Sequence, residues 1–266
     1  TSRLLPPPHR TRNCFTKNVK MKKWVFFGLL VLGATLTGWY VKGYFSDENF
    51  TYTSINPNAA YFYPLDTVPK IYHYRDIANG IDEEFHRIYT VEDAVGPHLI
   101  VEVYAPDGRL REAINYNIDS LVVQDHMVVN RVQSKEKTVL YKNQLFPFDL
   151  QKETWFASKF SGVVDSTVLL HEVFRKFQAR KQTVFLAKTK ADALFFQDKI
   201  RRTVLNPFTR AEKEVLGQQI SVFAKGYGLV AWYNRNKTIH YRLERVLTQT
   251  EKPEARSKHR IGREVC

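Results

Sequence analysis

The residues of this chain best suited to chemistry are six histidines, His73, His86, His98, His126, His171 and His240, with the carboxylates around them. Imidazole titrates near neutrality and ligates metals, so acid–base or metal chemistry would start there. The six are scattered singly. His171-Glu172 begins as a zinc-protease helix begins, but the residue four positions on is Arg175, whose guanidinium cannot replace a histidine ligand. Ser161-Gly162 and Asp165-Ser166 do not complete a G-x-S-x-G nucleophile turn, and no G-x-x-x-x-G-K-[ST] phosphate loop occurs. Asp82-Glu83-Glu84 and Glu92-Asp93 lack the spacing of a calcium loop and read as solvated faces. Gly226-Tyr227-Gly228 has the letters of a potassium filter without the pore helices a filter needs. Asn49-Phe50-Thr51 and Asn236-Lys237-Thr238 match the glycosylation pattern, which matters only in a eukaryotic secretory pathway. Cys14 and Cys266 lie in the flanks, which excludes a disulfide framework, a cysteine zinc site and a cysteine nucleophile from the body. No catalytic residue, metal or cofactor is predicted. A hydrolase with a dispersed site stays open as an alternative, and it requires the histidines and carboxylates to converge in a polar cleft.

Two further groups could bind rather than react. Lys188, Lys190, Lys199, Arg201 and Arg202 surround Phe195 and Phe196, a pattern for a polyanion or lipid-headgroup surface, with a solvated face as the plainer reading. The net charge of +13 is regional. Seven basic residues and no acidic one precede residue 24, residues 42–150 are acidic on balance, and residues 151–250 are basic. The basic flank has a membrane explanation, and the two body halves offset each other, so no nucleic-acid partner is expected.

The elements that must position these residues begin with Trp24–Val41, eighteen residues without a charge. As a helix they span about 27 Å, near the thickness of a bilayer core. Lys17, Lys20, Lys22 and Lys23 precede them, which places the N-terminus in the cytoplasm and the body in the periplasm. Residues 21–41 therefore read as a signal-anchor and single transmembrane helix of the inner membrane. The alternative is a cleaved signal that leaves a soluble periplasmic carrier. Leu36-Thr37-Gly38 starts like a lipobox, but Trp39 stands where the acylated cysteine belongs. Residues 1–20 read as a non-native or disordered extension.

Residues 42–69 form an aromatic-rich tether. Asn56-Pro57-Asn58, Pro64 and Pro69 break regular structure, and Tyr44, Phe45, Phe50, Tyr52, Tyr61, Phe62 and Tyr63 are expected to lie across the surface of the domain. Residues 70–250 form a β-rich domain. Lys70–Ile77, Glu84–Val91, Leu99–Tyr104 and Leu110–Ile118 carry β-branched and aromatic residues, with a turn at Ala105-Pro106-Asp107-Gly108. Leu121–Val132 and Thr138–Phe148 read as a further pair, completing a meander. Over 165–205 the period shifts. Leu169, Leu170, Val173, Phe174 and Phe177 follow helical spacing behind a cap at Asp165, Ser166 or Thr167, and Ala191–Val204 reads as a second helix. Thr209-Arg210-Ala211-Glu212 matches a capping box. Strands at Val168–Phe177 and Thr183–Ala187 are the competing reading. Ile220–Phe223, Leu229–Tyr233 and Thr238–Val246 return to β, and residues 251–266 read as a disordered tail.

Across Ile220–Leu247 the segment Phe223-Ala224-Lys225-Gly226-Tyr227-Gly228-Leu229-Val230 resembles the closing hairpin of uncharacterised bacterial periplasmic and lipoprotein families. The resemblance implies a fold like that of the lipoprotein carriers, a curved antiparallel sheet or unclosed barrel with helices over an apolar cavity. It implies a binding or scaffold role and carries over no catalytic residue. The missing lipobox cysteine departs from the lipoprotein members. Gly226 and Gly228 would let the sheet bend. The fold expected is thus α+β, mainly antiparallel β, a curved sheet or unclosed barrel with a few covering helices behind one N-terminal transmembrane helix. The function expected is a membrane-anchored envelope protein that binds a hydrophobic ligand, a lipid or an envelope protein partner. Its candidate contacts are Phe195, Phe196, Phe223 and Tyr227.

Overall fold

Side chains alternate between two faces along nearly every segment, because β-branched and aromatic residues fill a pleated ribbon better than a helix. The computed structural model describes residues 51–248 apart from 131–132, 162–166 and 187–188. The expectations for residues 1–20, 21–41 and 251–266, for Tyr44, Phe45 and Phe50, and for caps at Asp165 and Ser166 lie outside these residues. Among the described residues no helix is long and apolar enough to cross a membrane. Contacts divide the chain into residues 1–48 and 49–266, and the fold is that of the second unit.

The strands are β1 Lys70–Asp76, β2 Glu83–Asp93, β3 Gly96–Tyr104, β4 Leu110–Asn117, β5 Val123–Val129, β6 Lys135–Lys137, β7 Val139–Asn143, β8 Thr154–Ser161, β9 Val168–Leu186, β10 Thr189–Leu205, β11 Glu212–Ala224, β12 Gly228–Asn234 and β13 His240–Thr248. All neighbours are antiparallel, in the order β6-β5-β4-β3-β2-β1-β13-β12-β11-β10-β9-β8-β7. The two edge strands are consecutive in sequence. Residues 135–143 are one extended stretch: β6 pairs with β5, the chain turns at Thr138, and β7 pairs with β8. Thr138 donates its N–H to His126 O at 2.9 Å, which continues the β5 pairing to the corner. Ser161 N–H and O–H both reach Glu136 Oε1, at 2.8 and 2.7 Å, tying β8 to β6. The sheet is thereby a nearly closed barrel.

The meander over 70–118 is as the sequence predicts, including the turn with Gly108 at φ +80°. The helices are not. Val168–Leu186 and Thr189–Leu205 are long strands paired through seventeen residues, and the one helical element among the described residues is a 3-10 turn at Ala59–Tyr61. The apparent helical spacing mixes two faces. Val173, Arg175 and Phe177 point inward, while Phe174 points outward, stacking on Trp155 at 5.4 Å beneath Arg201. Apolar residues at both parities imitate a 3.6-residue period. Thr209 caps a turn, not a helix: its Oγ1 accepts from Ala211 N–H at 3.3 Å, and Glu212 starts β11. The pair expected from 121–132 and 138–148 is split, since β7 crosses to β8.

Antiparallel connectivity gives the barrel two distinct ends. One carries the turns at 93–96, 117–123, 143–154 and 224–228, the other those at 76–83, 104–110, 129–135, 205–212 and 234–240. Residues 51–69 close the first end. Asn56 Nδ2 donates to Ser120 O at 3.1 Å, and Asn58 Nδ2 donates to Pro147 O and Phe148 O at 3.2 and 3.0 Å. Gly226 N–H donates to Ala60 O at 2.8 Å. Phe62 and Tyr63 do not lie across the surface. They enter the core, where Phe62 meets Tyr116 and Phe146 at 5.1 and 4.7 Å between ring centroids. Burying one such ring stabilises the fold by about 2–3 kcal/mol. The outer face carries Arg75, Arg87, Glu102, Lys159 and Arg201 in mid-strand, several in ion pairs. A lipid-facing belt would charge about 2–4 kcal/mol for each such cation at its midplane, so this is a water-facing surface.

Candidate functional site

The lumen is graded from apolar to polar. At the plugged end Leu99, Tyr116, Leu121, Phe146, Leu194, Phe196 and Phe223 are all buried. Phe196 and Phe223 face each other at 5.7 Å, with Phe146 against both. The space these two would offer a hydrophobic ligand is therefore occupied by the chain's own Phe62 and Phe146. Phe195 and Tyr227, the other predicted contacts, are half-buried against this core. Gly226 and Gly228 sit in the β11–β12 turn at φ +78° and +84°. Their requirements differ. A side chain at Gly226 would meet open space, whereas a Cβ at Gly228 would overlap Tyr63 Cδ1 and lie 2.9 Å from Cε1. The irregularity expected of the glycines lies a few residues earlier, a register shift between Val222 and Phe223.

Halfway along, a buried ion pair crosses β9 and β10. Arg175 Nε and Nη2 donate to the two oxygens of Asp198 at 2.8 and 2.9 Å, and Nη1 donates to Leu145 O at 2.8 Å. Ser221 Oγ donates to Asp198 Oδ2 at 2.5 Å. Burial opposes the Arg175 charge, yet the Asp198 charge and hydrogen bonds hold its pKa above the ordinary value. The guanidinium also lies 5.1 Å from the Phe223 ring centre. Every polar atom is used within the fold, so this cluster is a girder rather than a reactive centre.

Beyond it the lumen turns polar. His126 Nε2 lies 3.2 Å from Glu112 Oε2, and Nδ1 lies 3.1 Å from Ser158 Oγ. Carboxylate oxygens only accept, so Nε2 carries the proton to Glu112 and Nδ1 accepts from the Ser158 hydroxyl. Burial opposes the Glu112 charge, but His126, with His171 and His86 farther off, holds its carboxyl below the usual range. His171 pairs across the sheet with Ser158 and with Arg202. Burial, with the Arg202 charge, pushes its pKa down to about 4. His86, which touches Glu84 at 2.6 Å, stacks near Tyr74 and Trp232. Three of the six histidines thus share the lumen. His73 lies on the outer face between Glu83 and Glu244, His98 bonds Gln124 and Asp93 near the plugged end, and His240 lies at the β12–β13 turn. The serine–histidine–carboxylate series has the order of a hydrolytic triad, but Ser158 is 0% exposed. Among the described residues no group of three or more His, Cys, Asp or Glu side chains is arranged to hold a metal.

At the open end is a cavity of about 820 Å³. Ile200, Arg202, Val215, Gly217, Gln219 and Asn234 line it, with Arg235, Asn236 and Ile239 from the next turn. Gln218, on the outward parity, also borders it, and register explains the strand residues that remain. Asp198↔Gln219, Ile200↔Gly217 and Arg202↔Val215 are successive inward pairs, and Gln219 also faces Asn234. Gly217 leaves the wall without a side chain beside Ile200. Sequence reading identified Arg202 as part of a basic cluster but not its inward direction. The signal was parity, since Phe196, Asp198, Ile200 and Arg202 share one face, and the helical reading hid it.

No family model matches this chain, and no curated protein matches it. Two solved structures are similar. One is a candidate lipoprotein from Parabacteroides distasonis, with 10% identity and a TM-score of 0.43, covering 70% of this chain and 98% of that one. The other is a candidate exported protein with a YmcC-like fold from Bacteroides fragilis, with 13% identity and a TM-score of 0.42, covering 70% and 99%. The chain bears a weak structural resemblance to these bacterial proteins, one of fold alone.

Proposed function

We propose that this chain is a non-enzymatic extracytoplasmic binding protein, held at the inner membrane by residues 24–41, that takes an anionic amphiphile at the open end of its barrel. The observation that carries the reading is the cavity at that end, where Ile200, Val215 and Ile239 offer apolar wall and Arg202 and Arg235 offer cations. A ligand with an acidic head and an apolar portion satisfies both, because guanidinium forks bind carboxylate or phosphate and the aliphatic wall excludes water. Location rests on the lysines before Trp24 and on the eighteen uncharged residues after them. Cleavage after that segment would leave the same cavity on a soluble carrier.

A scaffold held by the membrane segment and the aromatic tether of residues 42–69 is the second reading. Phe62 and Tyr63 are spent on the core, which leaves that reading less material. The test is native mass spectrometry of the chain extracted in mild detergent, with phosphatidic acid and a neutral diacylglycerol offered in turn. One phosphatidic acid per chain is expected, with little diacylglycerol and no retention after Arg202→Glu with Arg235→Glu. Equal retention of both lipids, or retention unchanged by the charge reversal, would sink the proposal.

A further inference from the structure

The turn between β10 and β11 projects from the open rim and displays apolar side chains to water. Phe208 at its tip is 80% exposed and Leu216 on its flank is 71% exposed, with Leu205, Val215 and, on the adjoining β12–β13 turn, Ile239 also exposed. The tip is a built turn. Asn206 Oδ1 accepts from Phe208 N–H and Thr209 N–H at 3.0 and 3.2 Å, and Asn206 N–H donates to Ala211 O at 2.9 Å. Pro207 fixes one φ, and Arg210 takes φ +56°. The N–H groups of Asn206, Phe208 and Thr209 are thereby satisfied while the Phe208 ring stays outside. A ring that exposed gains little from the barrel itself.

Charge identifies what it fits. Residues 199–214 contain Lys199, Arg201, Arg202, Arg210 and Lys213 against Glu212 and Glu214. Parity leaves only cations on the cavity side of this segment: Arg202 and Lys213 face it with Val215, while Glu212, Glu214 and Leu216 face outward with Lys199 and Arg201, the latter paired with Glu172. Arg235 lies on the same cavity, and exposed Lys237 follows it in the adjoining turn. Phe208 beside Arg210, and Val215 and Ile239 on the side that carries Arg202, Lys213 and Arg235, match an anionic bilayer, whose headgroups take the cations and whose acyl boundary takes the ring. We infer that the open rim docks on an anionic lipid surface, with Phe208 as the inserted group and Arg210, Lys213 and Arg235 as its electrostatic ring. The inference shares Arg235 with the cavity, whereas Phe208, Arg210 and Lys213, which carry its test, lie outside the cavity lining.

The experiment uses the full chain held in a phosphatidylcholine nanodisc, so that its own apolar segment is already satisfied. Sucrose-loaded vesicles are added and sedimented, and captured nanodisc is measured. Vesicles of phosphatidylcholine with phosphatidylglycerol are expected to capture it, and vesicles of phosphatidylcholine alone are not. Phe208→Ser should reduce capture on the order of tenfold. Arg210→Ser and Lys213→Ser should each reduce it about fivefold and make the remainder less salt-sensitive. Phe208→Trp, which keeps an inserting ring, should retain capture and shift its emission to the blue on anionic vesicles. Each variant changes a solvent-exposed side chain, and an unchanged melting temperature confirms its fold. Equal capture by both vesicle types, capture insensitive to Phe208→Ser, or no capture at all overturns the inference; the last outcome would leave the rim to a protein partner. Loss of rim capture with the cavity lipid retained would separate this inference from the proposed function.

Discussion

Gly226 and Gly228 are two residues apart in one turn, both at positive φ, yet they should respond very differently to alanine. At Gly226 the new methyl meets nothing, and the cost is the left-handed backbone alone, about 1 kcal/mol. At Gly228 the same backbone cost applies, and the methyl also overlaps the Tyr63 ring. That ring cannot retreat easily. Phe62 lies 5.1 Å away and Tyr72 5.5 Å away, both edge-on. Overpacking of this kind adds about 1–3 kcal/mol. Gly228→Ala should therefore cost about 3 kcal/mol, roughly a 1 M fall in urea midpoint for a domain of this size, and Gly226→Ala about a third of that. The assay is equilibrium unfolding followed by tryptophan emission. Combining Gly228→Ala with Tyr63→Leu should recover part of the loss, giving a coupling energy of about 1–3 kcal/mol. Equal midpoints for the two glycine variants, or a coupling near zero, would refute the claim that residues 51–69 are a packed stopper rather than a loosely laid strap.

The Arg175–Asp198 pair should behave as a buried unit. Arg175→Met alone strands a carboxylate against Ser221 and should cost about 3–5 kcal/mol, while Arg175→Met with Asp198→Leu should cost less than the single change, as read by thermal melting. Acid stability should follow His171. Because burial lowers its pKa from 6.5 to about 4, its contribution is complete above pH 6.5 and lost as pH falls to about 4, where the unfolded chain alone takes the proton. The groups facing it are Arg202, Glu112, His126 and Glu172, and Glu112, whose pKa is also lowered, adds its loss at more acid pH. His171→Gln should flatten the melting curve between pH 6.5 and 4 by about 5 °C, allowing for partial exposure. A slope unchanged by the substitution would remove His171 as the cause.

Much of the barrel was legible where one face of a strand is apolar and the other polar. Ile114, Tyr116 and Ile118 alternate with polar neighbours, so the meander could be read directly. Legibility failed at β9 and β10 for a definite reason. Phe174 belongs to a small outward cluster with Trp155 and Arg201, so apolar residues occupy both parities and the period is disguised. Closure was invisible because it depends on one residue, Thr138, at which a strand exchanges neighbours drawn from distant parts of the chain. The tether's aromatics were noticed and then misplaced, since composition says that a ring will be buried and not where. The site was harder still. His86, His126 and His171 lie far apart in sequence and meet only through the register of nonadjacent strands. The basic cluster around Arg202 was visible, whereas its division into an inward and an outward row follows only from knowing that the segment is a strand.

The lengths of the strands explain why one end is stable and the other available. β9 and β10 run for 19 and 17 residues and β11 for 13, while β8 and β12 on either side run for 8 and 7. The length of β9 beyond β8 lies at the plugged end, where Phe177, Val184 and Leu186 join the core that the rings of Phe62, Phe146, Phe196 and Phe223 fill. At the open end β12 stops at Asn234 opposite Gln219, so β11 runs on from Gln218 to Glu212 with β10 as its one paired neighbour, while β10 stays paired with β9 up to Leu205 and Val168. An open β11 edge with exposed Val215 and Leu216 beside it, and Phe208 in the turn above, invites edge pairing and aggregation, which natural sheets usually blunt with charge. Here the charges are present, Arg202 and Lys213 within the hairpin and Arg210 at its tip, but they flank the apolar residues instead of replacing them. A protective design would have removed Phe208, because its ring is 80% exposed and its loss costs the fold little. An exposed ring on a turn held by Asn206 and Thr209 is what a surface built to meet another surface requires.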